Sequence, residues 1–276
     1  MMAVMGEMFS ELIRYRGLLA MLAWRDIRVR YKQSLLGVAW AFLMPLAQTL
    51  VLFVVFKFAV SGGTIEPEKY DQVPFFLFIL AGVIPWTLFS SILATSVESL
   101  TRNSRLVTKI YFPREVFPLG TVAGALVDFG VSLAIFVPVY VYYVVTDVRV
   151  MATGRLALLP LVLIIQLLLA AGLALIVSMA NLFFRDVKYL MTFLLQFWFF
   201  ATNIGYQFHF KHHPVLQWLS RVNPMIAILD AYRDCLMGRP LHDPVGLVVA
   251  AMVAVFVFLG GWRVFHQAEF KFAEYV

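Results

Sequence analysis

The sequence predicts an all-α, polytopic membrane protein with six transmembrane helices, and two observations support this fold class. Of the 276 residues, 62% are hydrophobic and 14% are charged, whereas soluble domains contain about 25% charged residues. Six apolar runs reach the roughly 20 residues that a helix needs to cross a bilayer, where the backbone finds no water to bond. No segment outside these runs is long enough to bury a core of its own, so we predict a single membrane domain.

The predicted membrane domain covers 35–265, between a cytoplasmic N-terminal segment (1–34) and a cytoplasmic tail (266–276). Its six spans cover about 35–60, 74–96, 116–145, 156–182, 187–206 and 243–265. The fourth and fifth spans nearly touch at a short charged hairpin. Two connections are longer: a polar one at 97–115 and a more apolar one at 207–242.

The distribution of Lys and Arg predicts the orientation. Basic residues concentrate before the first span, in 97–115, in the charged hairpin and in the tail, as they do in cytoplasmic loops. Both termini are therefore predicted to be cytoplasmic, and 207–242 to be external. Because the basic residues lie at the ends of apolar runs, the net charge of +6 indicates membrane flanks and no nucleic-acid partner.

The segment before the first span has the pattern of an amphipathic helix. Its predicted apolar face comprises Ala20, Ala23, Trp24, Ile27 and Tyr31. Arg25, Arg28 and Lys32 flank this face, with Asp26 and Arg30 behind it. Such a helix lies in the membrane interface with its basic residues toward the headgroups. The pattern also suits a plain cytoplasmic anchor, and the residues alone do not choose between the two.

The two longer connections predict different structures. Residues 97–115 are polar enough for a short helix outside the membrane. Residues 207–242 repeat apolar side chains at helical spacing, interrupted at Asn223-Pro224. This pattern predicts two short re-entrant helices, which survive at membrane depth only where protein or a water-filled cavity covers them.

The fifth span has a stripe of hydroxyl, amide and aromatic side chains at helical spacing. Its members are Tyr189, Thr192, Gln196, Phe199, Asn203 and Tyr206. Aromatic faces and exchangeable hydrogen bonds suit a path for sugars, whereas ordinary helix–helix hydrogen bonding is the alternative. A second stripe of Phe193, Phe197 and Phe200 is wholly apolar.

On the third span, Gly120, Gly124, Asp128 and Ser132 share one face. The G-x-x-x-G spacing lets another helix approach closely. Asp128 is then expected against a protein partner, with Lys57 as one candidate, and a structural acid is favoured over a proton relay. Ala170, Ala174 and Ser178 predict a similar packing face on the fourth span.

The sequence contains no G-x-x-x-x-G-K-[ST] phosphate loop, no G-x-S-x-G elbow and no H-E-x-x-H pair. We therefore predict no enzyme activity and no cofactor in this chain; if the protein is a pump, its ATPase is a separate polypeptide that binds the ATP and Mg²⁺. The single cysteine, Cys235, rules out an intramolecular disulfide. His209, His212 and His213 cluster without an acidic or cysteine ligand, so metal binding there is not expected.

Several motifs follow one another in a familiar order. They are Arg25-Asp26-Ile27, Arg30-Tyr31-Lys32-Gln33-Ser34-x-Leu36-Gly37, Trp40 with Pro45, Gly82 with Trp86, Asn103 with Leu106 and Lys109, Tyr111-Phe112-Pro113-Arg114-Glu115 with Pro118, Phe184-Arg185-Asp186-Val187, and Asn223-Pro224 with Tyr232-Arg233. In this order the chain resembles the permease subunits of polysaccharide-exporting ABC transporters, the type-2 group that exports O-antigens, capsules and teichoic acids.

The resemblance implies a homodimer in the bacterial cytoplasmic (inner) membrane that pairs with two ATP-binding-cassette ATPases and exports a lipid-linked polysaccharide, most simply an O-antigen-like glycan. It implies ATPase coupling through Arg102, Asn103, Arg105 and Lys109, and glycan access near Trp24, Arg25, Arg28, Arg30, Tyr31 and Lys32. It also implies a channel lined by the polar fifth-span stripe, and an external gate that includes Trp218, Asn223, Pro224, Tyr232 and Arg233.

Two alternatives stay open on the sequence. A type-2 exporter of a drug or small lipid shares this architecture but usually lacks the R-Y-K-x-S-x-L-G run. A membrane-embedded transferase or a structural membrane protein would have no transport role.

Overall fold

The computed structural model describes residues 15–32, 37–60, 74–104, 106, 113–146, 150–205 and 222–272. Its helices in chain order are α1 (Arg16–Tyr31), α2 (Trp40–Val54), α3 (Phe75–Ser96), α4 (Ser99–Arg102), α5 (Val116–Thr146), α6 (Leu159–Phe183), α7 (Val187–Phe200), α8 (Pro224–Leu236) and α9 (Pro244–Ala268). A π-helical extension (Val55–Val60) follows α2, and short 3-10 turns precede α2 and α6 and follow α9. No strand occurs in these ranges, so the predicted all-α class is confirmed.

Five helices are long and apolar enough to cross a membrane: α2 with its extension, α3, α5, α6 with the preceding 3-10 turn, and α9. The fifth predicted span is shorter than expected. Its helix, α7, has 14 residues and ends at Phe200, and a turn through 201–205 follows where the prediction had helix. The sixth apolar helix is therefore present, but it is too short to cross the hydrocarbon core unaided.

Helix α3 lies at the centre of the bundle. It packs against α2, α5, α6, α7 and α8, and most of its side chains are buried. Helix α6 packs most extensively against α9, where two glycines face each other. A methyl group at Gly172 would lie 2.6 Å from the Phe258 backbone, and one at Gly261 would lie 2.6 Å from the Gly172 carbonyl oxygen. The predicted packing face of Ala170, Ala174 and Ser178 is fully buried.

Helix α1 packs on the third span, as the G-x-x-x-G spacing predicts. Leu22 faces Gly120, and Ile27 faces Gly124. The predicted apolar face of α1 is wrong in part, because its members Ala20 and Trp24 are exposed while Ala23 and the neighbouring Leu22 are buried. The face that contacts α5 is rotated toward Leu22, and Trp24 lies on the outer side with Arg28 and Lys32, which are also exposed.

The suggested pairing of Asp128 with Lys57 is also wrong. The Ser132 hydroxyl donates to the Ala41 carbonyl oxygen (2.9 Å), which places this part of α5 beside the start of α2. Lys57 lies on the extension after α2, about 24 Å further along at 1.5 Å per residue. Its ammonium group lies over the rings of Phe53 and Phe58. The sequence indicated the polar residues but not their depth in the bundle.

A second, smaller core lies at the predicted cytoplasmic end. It combines residues from α1, α4, α5, α6, α9 and the final turn. Its members are Leu22, Leu100, Val116, Phe117, Leu175, Leu182, Trp262, Phe265 and Phe272. Leu100 is fully buried, so the short helix α4 is packed onto the membrane domain rather than extending freely from it.

Candidate functional site

The polar connection after α3 is attached to the N-terminal helix. Asn103 is only 9% exposed, and its amide nitrogen donates to the Ser99 carbonyl oxygen at 2.7 Å. Its side-chain oxygen accepts from Arg25 Nη2 at 2.8 Å. Two predicted functional residues, one from the glycan-access set and one from the coupling set, therefore contact each other. This bond holds α1 and the connection together across 78 positions of sequence.

The predicted coupling residues occupy different environments. The Arg102 side chain is 68% exposed and available to a partner, whereas the Asn103 side chain is bonded within the chain. Arg105 and Lys109 lie outside the described residues. The role of the whole set in ATPase coupling stays a prediction, and Arg102 is its most accessible described member.

Glu98 joins this connection to the fifth-span helix. One carboxylate oxygen accepts from Arg102 Nη2 at 2.5 Å, and the other lies 3.7 Å from Lys188 Nζ in the first turn of α7. Sequence reasoning missed Glu98, although its i,i+4 spacing to Arg102 at the end of an apolar helix was a usable signal. Glu98 therefore lies between a cation of the connection and a cation of α7.

Beside this bridge lies a polar cleft of about 330 Å³. Its lining residues come from the connection, the end of α6 and the charged hairpin: Glu98, Thr101, Ser104, Asn181, Leu182, Arg185 and Lys188. Asn181 is 3% exposed, and its side-chain oxygen has no hydrogen-bond partner in the described part of the chain. The cleft therefore offers a buried acceptor together with exposed cations.

The polar stripe predicted on the fifth span is divided by the structure. Tyr189, Thr192 and Gln196 are exposed, and Phe199 is half-buried. Asn203 lies after the helix and is 3% exposed, with its amide donating to Asp230 Oδ1 at 2.5 Å. Tyr206 lies outside the described residues. The helical part of the stripe thus forms a surface, whereas Asn203 belongs to the interior.

Helix α7 exposes its apolar stripe as well. Phe193, Phe197 and Phe200 are all exposed, and Met191 is the one residue of this helix that is fully buried. Intramembrane hydroxyl and amide groups normally face protein or water. The Thr192 hydroxyl donates to the Lys188 carbonyl oxygen within the helix at 3.0 Å, so the exposed Gln196 amide is the group that lipid would leave without a partner.

Asn223 and Pro224 begin α8 as the sequence predicts. Pro224 is the first helical residue, and the Asn223 side-chain oxygen caps the helix by accepting from the Met225 amide at 3.1 Å. The same oxygen accepts from Trp198 Nε1 at 2.9 Å, which ties α8 to α7. Helix α8 corresponds to the second predicted re-entrant helix. The first one, with Trp218, lies outside the described residues.

Arg233 is buried where α3, α8 and the end of α7 meet. It is 3% exposed; Nη2 donates to the Ile204 carbonyl oxygen at 2.8 Å, and Nε donates to that of Phe78 at 3.3 Å. The guanidinium carbon lies 3.8 Å from the Phe78 ring centroid, and Nη1 lies 3.3 Å from Asp230 Oδ1. Gly82 leaves the space that the guanidinium fills, because a Cβ there would lie 2.5 Å from Nη2.

This environment gives Arg233 a structural role in holding α8. Tyr232 beside it is 5% exposed. The proposed gating role of these residues remains a prediction.

The glycan-access residues lie on or near α1. Trp24, Arg28 and Lys32 are exposed on its outer side, and Arg25 is engaged with Asn103. Nothing is described of the side chains of Arg30 and Tyr31. The exposed aromatic and cationic side chains suit contact with lipid headgroups.

A bundle of long apolar helices, an N-terminal helix packed on its third span and a packed polar connection define a multi-pass membrane domain. The chain matches the ABC-2 type transporter family over residues 17–237, and it belongs to that family.

It is 29% identical to an O-antigen export system permease protein, RfbA, from Myxococcus xanthus, covering 98% of this chain and 99% of the relative. A Klebsiella pneumoniae protein of the same name is 26% identical over 93% of this chain and 94% of that protein. The polysialic acid transport protein KpsM of Escherichia coli is 27% identical over 88% of this chain and 92% of that protein.

Proposed function

We propose that this chain is the membrane-spanning subunit of an ATP-driven exporter that moves a lipid-linked polysaccharide across the bacterial cytoplasmic membrane. The similarity to O-antigen export permeases over nearly the whole length of both chains is the observation that carries this proposal. An O-antigen-like glycan is the substrate we favour, since the polysialic acid transport relative is similar over a smaller share of the chain. The chain has no phosphate loop, so a separate ATPase supplies the energy.

Two copies of the chain form the translocation path in this proposal. The exposed stripes of α7 support a dimer, because the exposed Gln196 amide would lack a hydrogen-bond partner in lipid. A second copy placed against this surface would enclose a path lined by hydroxyl, amide and aromatic groups. Such groups stack on sugar C–H faces and exchange hydrogen bonds, so they bind each residue of the glycan without trapping it.

The ATPase acts on the connection that begins at residue 97. Arg102 offers an exposed cation to the ATPase, and Glu98 links the same turn to Lys188 on α7. Motion of the connection would therefore reach the channel helix through one charge bridge. The Arg25–Asn103 bond ties the interfacial helix to the same unit, so that access for the glycan and ATPase motion are coupled.

Both termini are cytoplasmic in this arrangement, and the outer side of α1 receives the lipid-linked glycan. Arg28 and Lys32 attract the anionic headgroup, and Trp24 anchors the helix in the interface. Helix α8, docked through Arg233, narrows the external exit.

The proposal is tested by deleting the gene for this chain in its host and following lipid-linked glycan. We expect the glycan to accumulate on the cytoplasmic leaflet, and a tagged copy to restore export and to co-purify with an ATP-binding-cassette ATPase. If the tagged copy instead restores resistance to a drug and leaves the surface glycan unchanged, the small-molecule exporter is favoured. Full activity of a copy that co-purifies with no ATPase would refute the proposal.

A further inference from the structure

Three ligand-type side chains converge where the third and sixth spans meet at the predicted cytoplasmic end. Glu115 precedes α5, His266 lies in the last turn of α9, and Glu269 begins the turn that follows. The His266 Nδ1 atom lies 3.3 Å from Glu115 Oε1 and 3.3 Å from Glu269 Oε1. Each residue offers one ligand atom, and these three atoms lie within 4.8 Å of one another.

The His266 Nδ1 atom cannot donate a good hydrogen bond to both carboxylates. The Nδ1 atom of an imidazole has at most one hydrogen, and that hydrogen points in one direction. Two carboxylate oxygens nevertheless lie at the same distance from it, which exceeds the roughly 2.7–2.9 Å of a charge-assisted bond. The geometry therefore places more acceptors around this atom than it has protons to offer.

Glu115 is the side chain with the greatest need for a further partner. It is 3% exposed, and its Oε2 atom has no hydrogen-bond partner among the described residues. A buried carboxylate without a partner is costly. The neighbouring cation is used elsewhere, because Arg114 Nη1 donates to the Glu269 backbone oxygen and its guanidinium lies 5.8 Å from the Phe272 ring centroid.

The spacing matches a small divalent cation. Zn²⁺ binds imidazole nitrogen and carboxylate oxygen at about 2.0–2.2 Å, so adjacent ligand atoms of a tetrahedral site lie roughly 3.3–3.6 Å apart. The two separations of 3.3 Å from His266 Nδ1 agree with this edge length, and all three ligand atoms lie within 4.8 Å of one another. Two carboxylates would also neutralise the charge of the ion, and one imidazole favours a transition metal over Mg²⁺ or Ca²⁺.

We propose that Glu115, His266 and Glu269 form a binding site for a divalent transition-metal ion of the Zn²⁺ class, with a fourth position open to water. The ion would fasten the end of α9 to the start of α5, beside the connection assigned to ATPase coupling. Binding of the ion is independent of the proposed export function, whereas any effect of the ion on export rests on it.

The test is a Zn²⁺ titration of the full-length chain purified in detergent and stripped with a chelator. Because His209, His212 and His213 could bind zinc themselves, all three are replaced by Asn in the starting protein. We expect about one Zn²⁺ per chain by metal mass spectrometry and a higher Tm when the site is filled. Glu115→Gln and His266→Asn should each weaken binding at least about tenfold, while the control His242→Asn should bind as the starting protein does.

A second measurement covers the case in which a variant fails to fold. Co²⁺ added to the stripped starting protein should give the visible absorption bands of a four-coordinate nitrogen–oxygen site, and Zn²⁺ should remove them. The proposal is overturned if the starting protein binds no Zn²⁺ at micromolar concentrations. It is also overturned if folded Glu115→Gln binds with unchanged affinity, or if bound Co²⁺ shows only an octahedral spectrum.

Discussion

The Glu98 bridge makes the sharpest prediction about how ATPase motion reaches the channel. Glu98→Gln keeps the size of the side chain but removes the charge that lies 2.5 Å from Arg102 and 3.7 Å from Lys188. In a medium of effective dielectric constant 20, a pair at the longer distance would be worth about 4.5 kcal/mol. Because the Lys188 and Arg102 side chains are 41% and 68% exposed, solvent screening lowers the expected value to about 0.2–1 kcal/mol.

This magnitude separates a folding effect from a coupling effect. A loss of up to about 1 kcal/mol lowers the Tm by no more than about 4 °C in a domain of this size. The same free energy, if it couples the connection to α7, changes the amount of glycan exported per ATP by up to about fivefold. We therefore expect Glu98→Gln to fold nearly normally, to support ATP hydrolysis and to export less glycan per ATP.

The assay compares glycan export and ATP hydrolysis in vesicles that contain this chain and its ATPase. Lys188→Gln should reproduce the loss, and the double variant should be no worse than either single one, because all three remove the same pair. Arg263→Gln removes an exposed cation at the same end of the protein and serves as the matched control. Additive losses, or an unchanged export-to-ATP ratio in Glu98→Gln, would refute the bridge as a transmission element.

Three further predictions concern the bundle and the channel. Arg233→Met should lower the free energy of unfolding by about 3 kcal/mol or more, since it leaves buried acceptors unpaired; an unchanged Tm in detergent would contradict this. Gly172→Ala should destabilise by about 1–3 kcal/mol, because its Cβ meets the α9 backbone, whereas Gly130→Ala faces open space and should not. Thr192→Val with Gln196→Leu should reduce glycan export at unchanged Tm, since both side chains are exposed. A lower Tm with unchanged export would assign the two side chains to packing instead.

The parts of the fold that depend on local pattern could be predicted from the sequence. The apolar runs fix the membrane helices, because crossing a bilayer requires a certain length of uncharged chain. Asn223 and Pro224 predict the start of α8, since a capping side chain and a proline at the first helical position favour a helix N-terminus. The Gly120 and Gly124 spacing predicts the close approach of another helix, which is α1.

The parts that depend on distant contacts could not be predicted. Nothing near Asn103 in sequence indicates that it accepts from Arg25, and nothing near Arg233 indicates that Phe78 and Ile204 surround it. The depth of a residue along a span is also invisible in a periodic pattern, which explains the mistaken pairing of Asp128 with Lys57.

The outward position of Trp24 has a similar cause. Helical periodicity groups residues by direction around the axis, but only the neighbouring helix decides which direction is buried. Helix α5 selects the side of α1 that contains Leu22 and Ala23, and Trp24 is left on the outer surface. Exposure there is compatible with the membrane interface, where tryptophan is enriched.

The most direct test of the account is reconstitution of this chain in vesicles with and without the ATP-binding-cassette ATPase that co-purifies with it. Lipid-linked glycan supplied on the ATPase side is followed by its protection from an added glycosidase. We predict that protected glycan appears only when both proteins and hydrolysable ATP are present. Equal protection without the ATPase, or no protection in the complete system despite ATP hydrolysis, would contradict the claim that this chain is the channel of an ATP-driven glycan exporter.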